Sequence, residues 1–416
     1  MNRRFFLHKG ALAVAGTAAI PSFLVRSVLA ETSGAPTKRL VVIFQRGAAD
    51  GLNVVVPYRE KNYYAMRPTI AIPQNQVIDL DDFFGLHPSL AAFKPLYGQG
   101  HLAIVHAAGS PDMSRSHFDA QDYMESGTPG VKGTEDGWLN RALQAEDLLH
   151  RCVGTCEHTA FRALALGPEV PLTLAGRIPA IALNNVNGFT VAGRGPAPSP
   201  AASAFQAMYA DSGDHLLSAA GDETFEAVKM LRAANPAQYQ PANGANYPNG
   251  EFGNSMKQIA QLLKANLGVE AAFTDVTGWD THHAQGGVNG QLANRLSDFS
   301  AAIAAFWRDM GDDAENVTLV TMSEFGRTAR ENGTGGTDHG HANAMFVLGG
   351  DVKGGKIYGR WPGLQNEQLN QGRDLALTTD YRAVLAELLT HTLGAENLET
   401  VFPNAGIERS RFLRLV

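Results

Sequence analysis

The chain predicts an α/β fold built on a mainly parallel sheet flanked by helices, and three observations carry the prediction. Apolar runs of strand length recur along the chain, helical patterns lie between them, and polar, chemistry-bearing residues follow the ends of the runs. Arg39 to Phe44 (RLVVIF), Leu102 to His106 (LAIVH), Val317 to Met322 (VTLVTM) and Ala344 to Leu348 (AMFVL) are mostly apolar without alternation, as strands covered on both faces are; Ala271 to Val276 is a weaker fifth. Ser255 to Leu267, Gln291 to Met310 and Thr379 to Leu393 read as helices, Gln291 to Met310 with apolar residues at three and four spacing. Strands alternating with helices argue for parallel pairing.

The N-terminus bears on the compartment. Arg3-Arg4 precedes Phe5-Phe6-Leu7 and Lys9, then an apolar run from Gly10 to Val25 and a small-residue end, Val28-Leu29-Ala30. This predicts a cleaved twin-arginine export signal over residues 1–30, with the export machinery as a partner and a periplasmic or secreted destination. A transmembrane anchor is the competing reading, but Pro21 and Ser22 interrupt a run already short for ~30 Å of hydrocarbon, so no stable anchor is expected.

Residues 31–416 then form a single α/β domain. Its length is near the limit for one core, and a hydrophobic content of 44% supports ample burial. Removing residues 1–30 takes away four basic residues and no acid, leaving 30 basic residues against 41 acidic ones. Such a balance lacks the basic face that phosphate backbones require, so nucleic acid is not an expected partner. Cys152 and Cys156 can close a small disulfide loop after export or stay as two buried thiols. Residues 176–250 are dense in Pro, Ala, Gly and Asn, with helical character only at Phe205 to Tyr209 and Glu223 to Ala234; they read as an insertion or cap.

Two stretches concentrate the chemistry: GWDTHH at Gly278 to His283 and TDHGHAN at Thr337 to Asn343. Carboxylates and imidazoles lie within two or three residues of each other in a glycine-rich setting, which suits ligands converging on a metal better than residues filling a core. In doubly wound sheets, functional groups collect past the carboxyl ends of strands. Four of the predicted strands end in loops that carry Asp50, then Ser114 with His117, then Asp280 with His282 and His283, then Glu324 with Arg327.

The order VVIFQRGAADGLNVVVPY, SRSHFDAQDYMESG, GWDTHH, MSEFGRT and TDHGHAN resembles the exported DUF1501 proteins, from the signal to the last helix. That family is grouped by similarity with the alkaline phosphatase and sulfatase superfamily. The resemblance implies an alkaline phosphatase-like core and, usually, two divalent metals; zinc, manganese and calcium are the candidates. Asp50 matches the first metal-binding Asp, Asp280 with His282 or His283 resembles an Asp and His pair on one metal, Glu324 stands where an Asp is common, and His339 or His341 resembles the late His ligand. Beside the resemblance, Asp338, His339 and His341 read as metal-site residues because Gly335, Gly336 and Gly340 leave little side-chain packing to explain them. Ser114 resembles the nucleophile, with Ser116 as its rival, His117 nearby and Arg115 or Arg327 stabilising charge. The implied function is an ester hydrolase acting on a small-molecule or polymer phosphate or sulfate ester, with attack by Ser or water.

Three departures stand out. Phe325 follows Glu324 where a His is usual, Asp280 and His282 are more tightly spaced than Asp-x-x-x-His, and no Cys lies near Ser114 to become formylglycine. Simpler roles compete with the catalytic ones: a turn for Asp50, a helix N-cap for Ser114, a buried salt bridge for Glu324 and Arg327. His87, His106, Trp279 and Trp361 read as structural. A non-catalytic exported binding protein and a phosphomutase-type transferase are the alternative functions.

Overall fold

The computed structural model describes residues 38–149, 159–186, 230–231 and 238–416. The export signal, Cys152 and Cys156, Phe205 to Tyr209 and all but Met230 and Leu231 of Glu223 to Ala234 lie outside the described residues.

One sheet organises the chain. In chain order its strands are β1 (Arg39–Gln45), β2 (Leu102–Gly109), β3 (Ala163–Leu166), β4 (Ala180–Leu183), β5 (Ala271–Val276), β6 (Val317–Met322), β7 (Asn343–Gly349), β8 (Lys356–Tyr358) and β9 (Thr379–Asp380). Across the sheet the order is β8-β2-β7-β6-β1-β5-β3-β4, with β9 also on β2. β1 pairs parallel with β5 and β6, β3 with β4 and β5, and β8 and β9 with β2; only β7 runs against its neighbours, β2 and β6. All five apolar runs form strands, and the fold is α/β with a mainly parallel sheet.

The apolar runs are unbroken because both sheet faces are covered. Val41 and Ile43 of β1 join one buried cluster with Ile259, Leu263, Leu296, Phe299 and Ile303 from α3 (Glu251–Lys264) and α4 (Gln291–Met310). Leu40, Val42 and Phe44 face the other way, into a cluster with Leu139 and Leu143 of α2 (Trp138–Leu149) and Val384, Leu385 and Leu388 of α5 (Tyr381–Thr392). The period-two alternation of strand side chains thus feeds two cores, one per face.

Two features were not legible in the sequence. Ala180–Leu183, inside the expected insertion, is the outermost strand of the sheet, paired with Ala163–Leu166. The glycine- and asparagine-rich stretch before α3 is clasped to the helical layer: the buried carboxylate of Asp309 accepts from Tyr239 (2.7 Å), Tyr247 (2.8 Å), the Ala242 N–H (2.8 Å) and Lys264 (2.9 Å).

Candidate metal centre

Five loops meet at one edge of the sheet, and topology brings them there. The segments after β1, β2, β5 and β6 emerge at the carboxyl ends of strands that lie together in the sheet. Because β7 is antiparallel, the segment before it, Thr337 to Ala342, lies at that same edge. Helix α1 (His117–Ser126) follows β2 and presents His117 from its first turn.

Two glycines permit the close approach of these loops. Gly47 has φ +112°, and a Cβ there would lie 2.8 Å from the Asp280 nitrogen. At Gly340 a Cβ would stand 2.3 Å from the Arg327 carbonyl; its absence lets Gly340 N–H donate to Gly326 O (2.8 Å) while Gly326 N–H donates to His341 O (2.7 Å).

Three imidazoles and a carboxylate converge. His339 Nε2 lies 3.0 Å from His117 Nε2, 2.9 Å from His282 Nε2 and 3.3 Å from Asp280 Oδ1. His282 Nε2 is 3.0 Å from Asp280 Oδ1, and His117 Nε2 is 3.5 Å from Asp280 Oδ2. His117, Asp280 and His339 each offer one ligand atom within 4.8 Å of the others. The opposite nitrogen of each ring faces an acceptor: His117 Nδ1 meets Glu324 Oε1 (2.8 Å), His282 Nδ1 meets Asp338 Oδ1 (3.0 Å), and His339 Nδ1 meets the Arg115 carbonyl (2.8 Å). Carboxylates and carbonyls only accept, so each Nδ1 donates, and a ring in its neutral form turns its Nε2 lone pair inward. Lone pairs 3 Å apart repel unless a proton or a cation sits between them.

Glu324 anchors the arrangement and is not itself free to ligate. Its buried carboxylate accepts from the N–H groups of Gly47 (2.8 Å) and Ala48 (3.1 Å), from Gln121 (2.8 Å), from Ser323 (3.1 Å) and from His117. Burial would raise its pKa, but these donors, His117 foremost, outweigh it and hold the carboxyl below its ordinary range. Gln121 lies one helical turn beyond His117, a spacing that could have flagged it. Phe325 is also explained: it is buried against the rings of His117 and His339, with both centroids 5.0 Å away, and so walls the imidazoles on one side.

The electrostatics follow from these contacts. The hydrogen bond to Glu324 raises His117 above the usual imidazole pKa against the opposing effect of burial, and Asp280 adds to it. His339 moves the other way, through burial first and the nearby His117 and Arg327 next. Asp280 lies low because Arg327, at 2.5 Å, outweighs its desolvation.

Several expected site residues are occupied elsewhere. Asp50 sits in a buried ion pair with Arg67 and also accepts from Gln285 (2.6 Å), so it does not join the converging ligands. Arg327 is spent on Asp280 and on Thr337 Oγ1 (3.2 Å), and Arg115 on Asp374 (2.5 Å) and Gln371 (3.2 Å). His341 is buried and bonded to the Ser110 carbonyl (3.0 Å), while His283 is exposed. Asp338 acts through His282, aided by Asn332 (3.1 Å). Ser114 Oγ accepts the Ser116 N–H (3.2 Å), and Ser116, not Ser114, is the N-cap residue of α1. His87 and His106 have structural partners, the carbonyls of Gly287 (3.0 Å) and Val55 (3.1 Å), and burial pushes His106 down to about 4.

Sequence reasoning missed Arg67 and Gln285, which no motif marks. Gln285 Oε1 accepts from Thr281 (2.7 Å) and Thr337 (2.9 Å), and Thr337 accepts from Arg327, so a buried chain of bonds runs from Asp50 to Asp280.

Comparison with known proteins adds little about chemistry. Among solved structures, the C-terminal periplasmic domain of EcEptC from Escherichia coli, in complex with zinc, aligns at 11% identity over 76% of this chain and 74% of that one, with a TM-score of 0.35. The PsFucS1 sulfatase from Pseudoalteromonas sp. aligns at 12% identity over 82% of this chain and 68% of that one, with a TM-score of 0.32. No curated protein matches the chain. A family model matches residues 37–399, and the chain belongs to that family, DUF1501, described as proteins of unknown function.

Proposed function

We propose that the protein is an exported, metal-dependent hydrolase of phosphate or sulfate esters. One observation carries the reading: three imidazoles, each oriented by an acceptor at Nδ1, aim Nε2 at one another and at Asp280. A fixed outer acceptor on every ligating histidine is what metal sites display. The donor set of His117, His282, His339 and Asp280 suits zinc or manganese; calcium, which takes six or more oxygens, fits it poorly. A divalent ion held there supplies positive charge against an ester oxygen and makes a nearby nucleophile more acidic.

This chain's own residues would do the rest. Glu324 and Asp338 hold the imidazoles in the ligating tautomer, and Arg327 keeps Asp280 ionised. Phe325 excludes water from one side of the rings. The Ser114 hydroxyl, in the loop that supplies the Arg115 carbonyl to His339, is the candidate nucleophile, with water as its rival. Export by the twin-arginine pathway, which carries folded proteins, is consistent with an ion loaded before transport.

Assays of phosphate and sulfate monoesters with added zinc or manganese, alongside metal analysis, test the proposal. His339→Ala should lose both the ion and turnover, and Ser114→Ala should lose turnover while keeping the ion. Unchanged turnover in Ser114→Ala leaves water as the nucleophile, and unchanged turnover in His339→Ala sinks the hydrolase. The second reading, a non-catalytic binding protein, is favoured by Asp50 and Glu324 both being saturated by protein donors. It predicts a bound ion without turnover of any ester.

A further inference from the structure

The Arg67 side chain is wholly buried, and its hydrogen-bond partners are all oxygens, with the Tyr63 ring 5.9 Å from the guanidinium. Nη1 donates to Asp50 Oδ2 and Asn53 Oδ1, both at 2.7 Å; Nη2 donates to Asp50 Oδ1 (2.9 Å) and the Thr328 carbonyl (2.8 Å); Nε donates to the Ala329 carbonyl (2.9 Å). Five N–H groups thus meet five oxygen acceptors. A carboxylate, an amide oxygen and two backbone carbonyls are the ligand types that hard divalent cations choose. Asp50 and Asn53 follow β1, Thr328 and Ala329 follow β6, and the segment after β6 also carries Glu324 and Arg327.

We propose that Arg67 is a resident cation standing where a second metal ion would otherwise be bound, so that the chain holds one exchangeable ion. The guanidinium neutralises Asp50 and ties the two loops together, and the pair reaches the metal centre through Gln285, Thr337 and Arg327 to Asp280. Arg67 is therefore a positioning residue. This deepens the reading of a metal-dependent hydrolase and corrects the two-metal expectation that the superfamily resemblance implies.

Metal counting on the folded full chain tests it. After chelation and reloading with zinc, the wild-type chain should carry one ion, and calcium or magnesium should leave its unfolding temperature unchanged. Arg67→Ala leaves the Asp50 carboxylate buried without its cation, with Gln285 Nε2 still donating to it; it should unfold at a lower temperature, recover with millimolar calcium or magnesium, and bind one additional ion. The double variant Asp50→Asn/Arg67→Ala should bind none beyond the zinc. Two zinc ions on the wild-type chain, or Arg67→Ala that neither calcium nor magnesium restores, overturns the assignment. Asp50→Leu/Arg67→Met, with the ion pair replaced by apolar side chains, should fold without added ion. A wild-type chain that takes up no zinc sinks the metal centre but leaves the Arg67 test standing, because that test is scored on calcium and magnesium.

Discussion

His117 shows how one side chain is given two states by its neighbours. Without an ion, the Glu324 carboxylate keeps it protonated to a higher pH than an ordinary imidazole, for which the reference value is 6.5. A cation at Nε2 must displace that proton. At the proposed metal centre, ion affinity is therefore expected to be full above the raised pKa and to fall as the pH drops through it. For the ion-free protein the sign reverses: the stabilisation from the His117–Glu324 pair is complete below the ordinary imidazole pKa and is lost as the pH rises through the raised one. Zinc titrations in buffers of different ionisation enthalpy should show protons released on binding, fewer at higher pH. Binding that is indifferent to pH between about 6 and 8 would remove His117 from the ligand set.

At the level of elements, the site depends on turns more than on helices or strands. The residues around Gly340 pair across to the loop after β6 through bonds of 2.7 and 2.8 Å, and this pairing sets where His339 points. Gly340→Ala drives a methyl group into the Arg327 carbonyl. It should destabilise the protein by about 1 to 3 kcal/mol, the range for overpacked sites. It should also weaken zinc binding by roughly tenfold or more, as displaced outer-sphere partners do. Urea denaturation and zinc titration measure the two effects, and a stable variant with unchanged affinity would mean that the turn is not what aims His339.

Across the whole molecule, the centre joins four segments that are far apart in the chain: His117 on α1, Asp280 and His282 after β5, Glu324 after β6 and His339 before β7. An ion binding only the folded form adds about 2.7 kcal/mol of stability at a concentration of 100 times its dissociation constant. Chelation should therefore lower the melting temperature by a few degrees, and readdition of zinc or manganese should restore it. An unchanged melting curve would argue that the loops are held together without any ion. Among the described residues no helix is long and apolar enough to cross a membrane.

The five apolar runs and the three long helices were legible in the sequence, because burial on both faces of a sheet leaves unbroken apolar strings and a half-buried helix leaves a periodic one. The short strand at Ala180–Leu183 was not, since a four-residue edge strand carries little of that signal. Asp280, His282, His339 and His117 stand out as chemistry-bearing residues in the sequence alone. Their partition could not: residue type alone does not say that Asp50 faces Arg67, that His341 faces Ser110, or that Glu324 is consumed by five donors. Local sequence determined strands, helices and the supply of imidazoles and carboxylates, because periodicity and composition act over neighbouring residues. Tertiary structure decided which of those groups converge, because hydrogen-bond partners are assigned by strand order across the sheet, and the reversed direction of β7 is a property of no single segment.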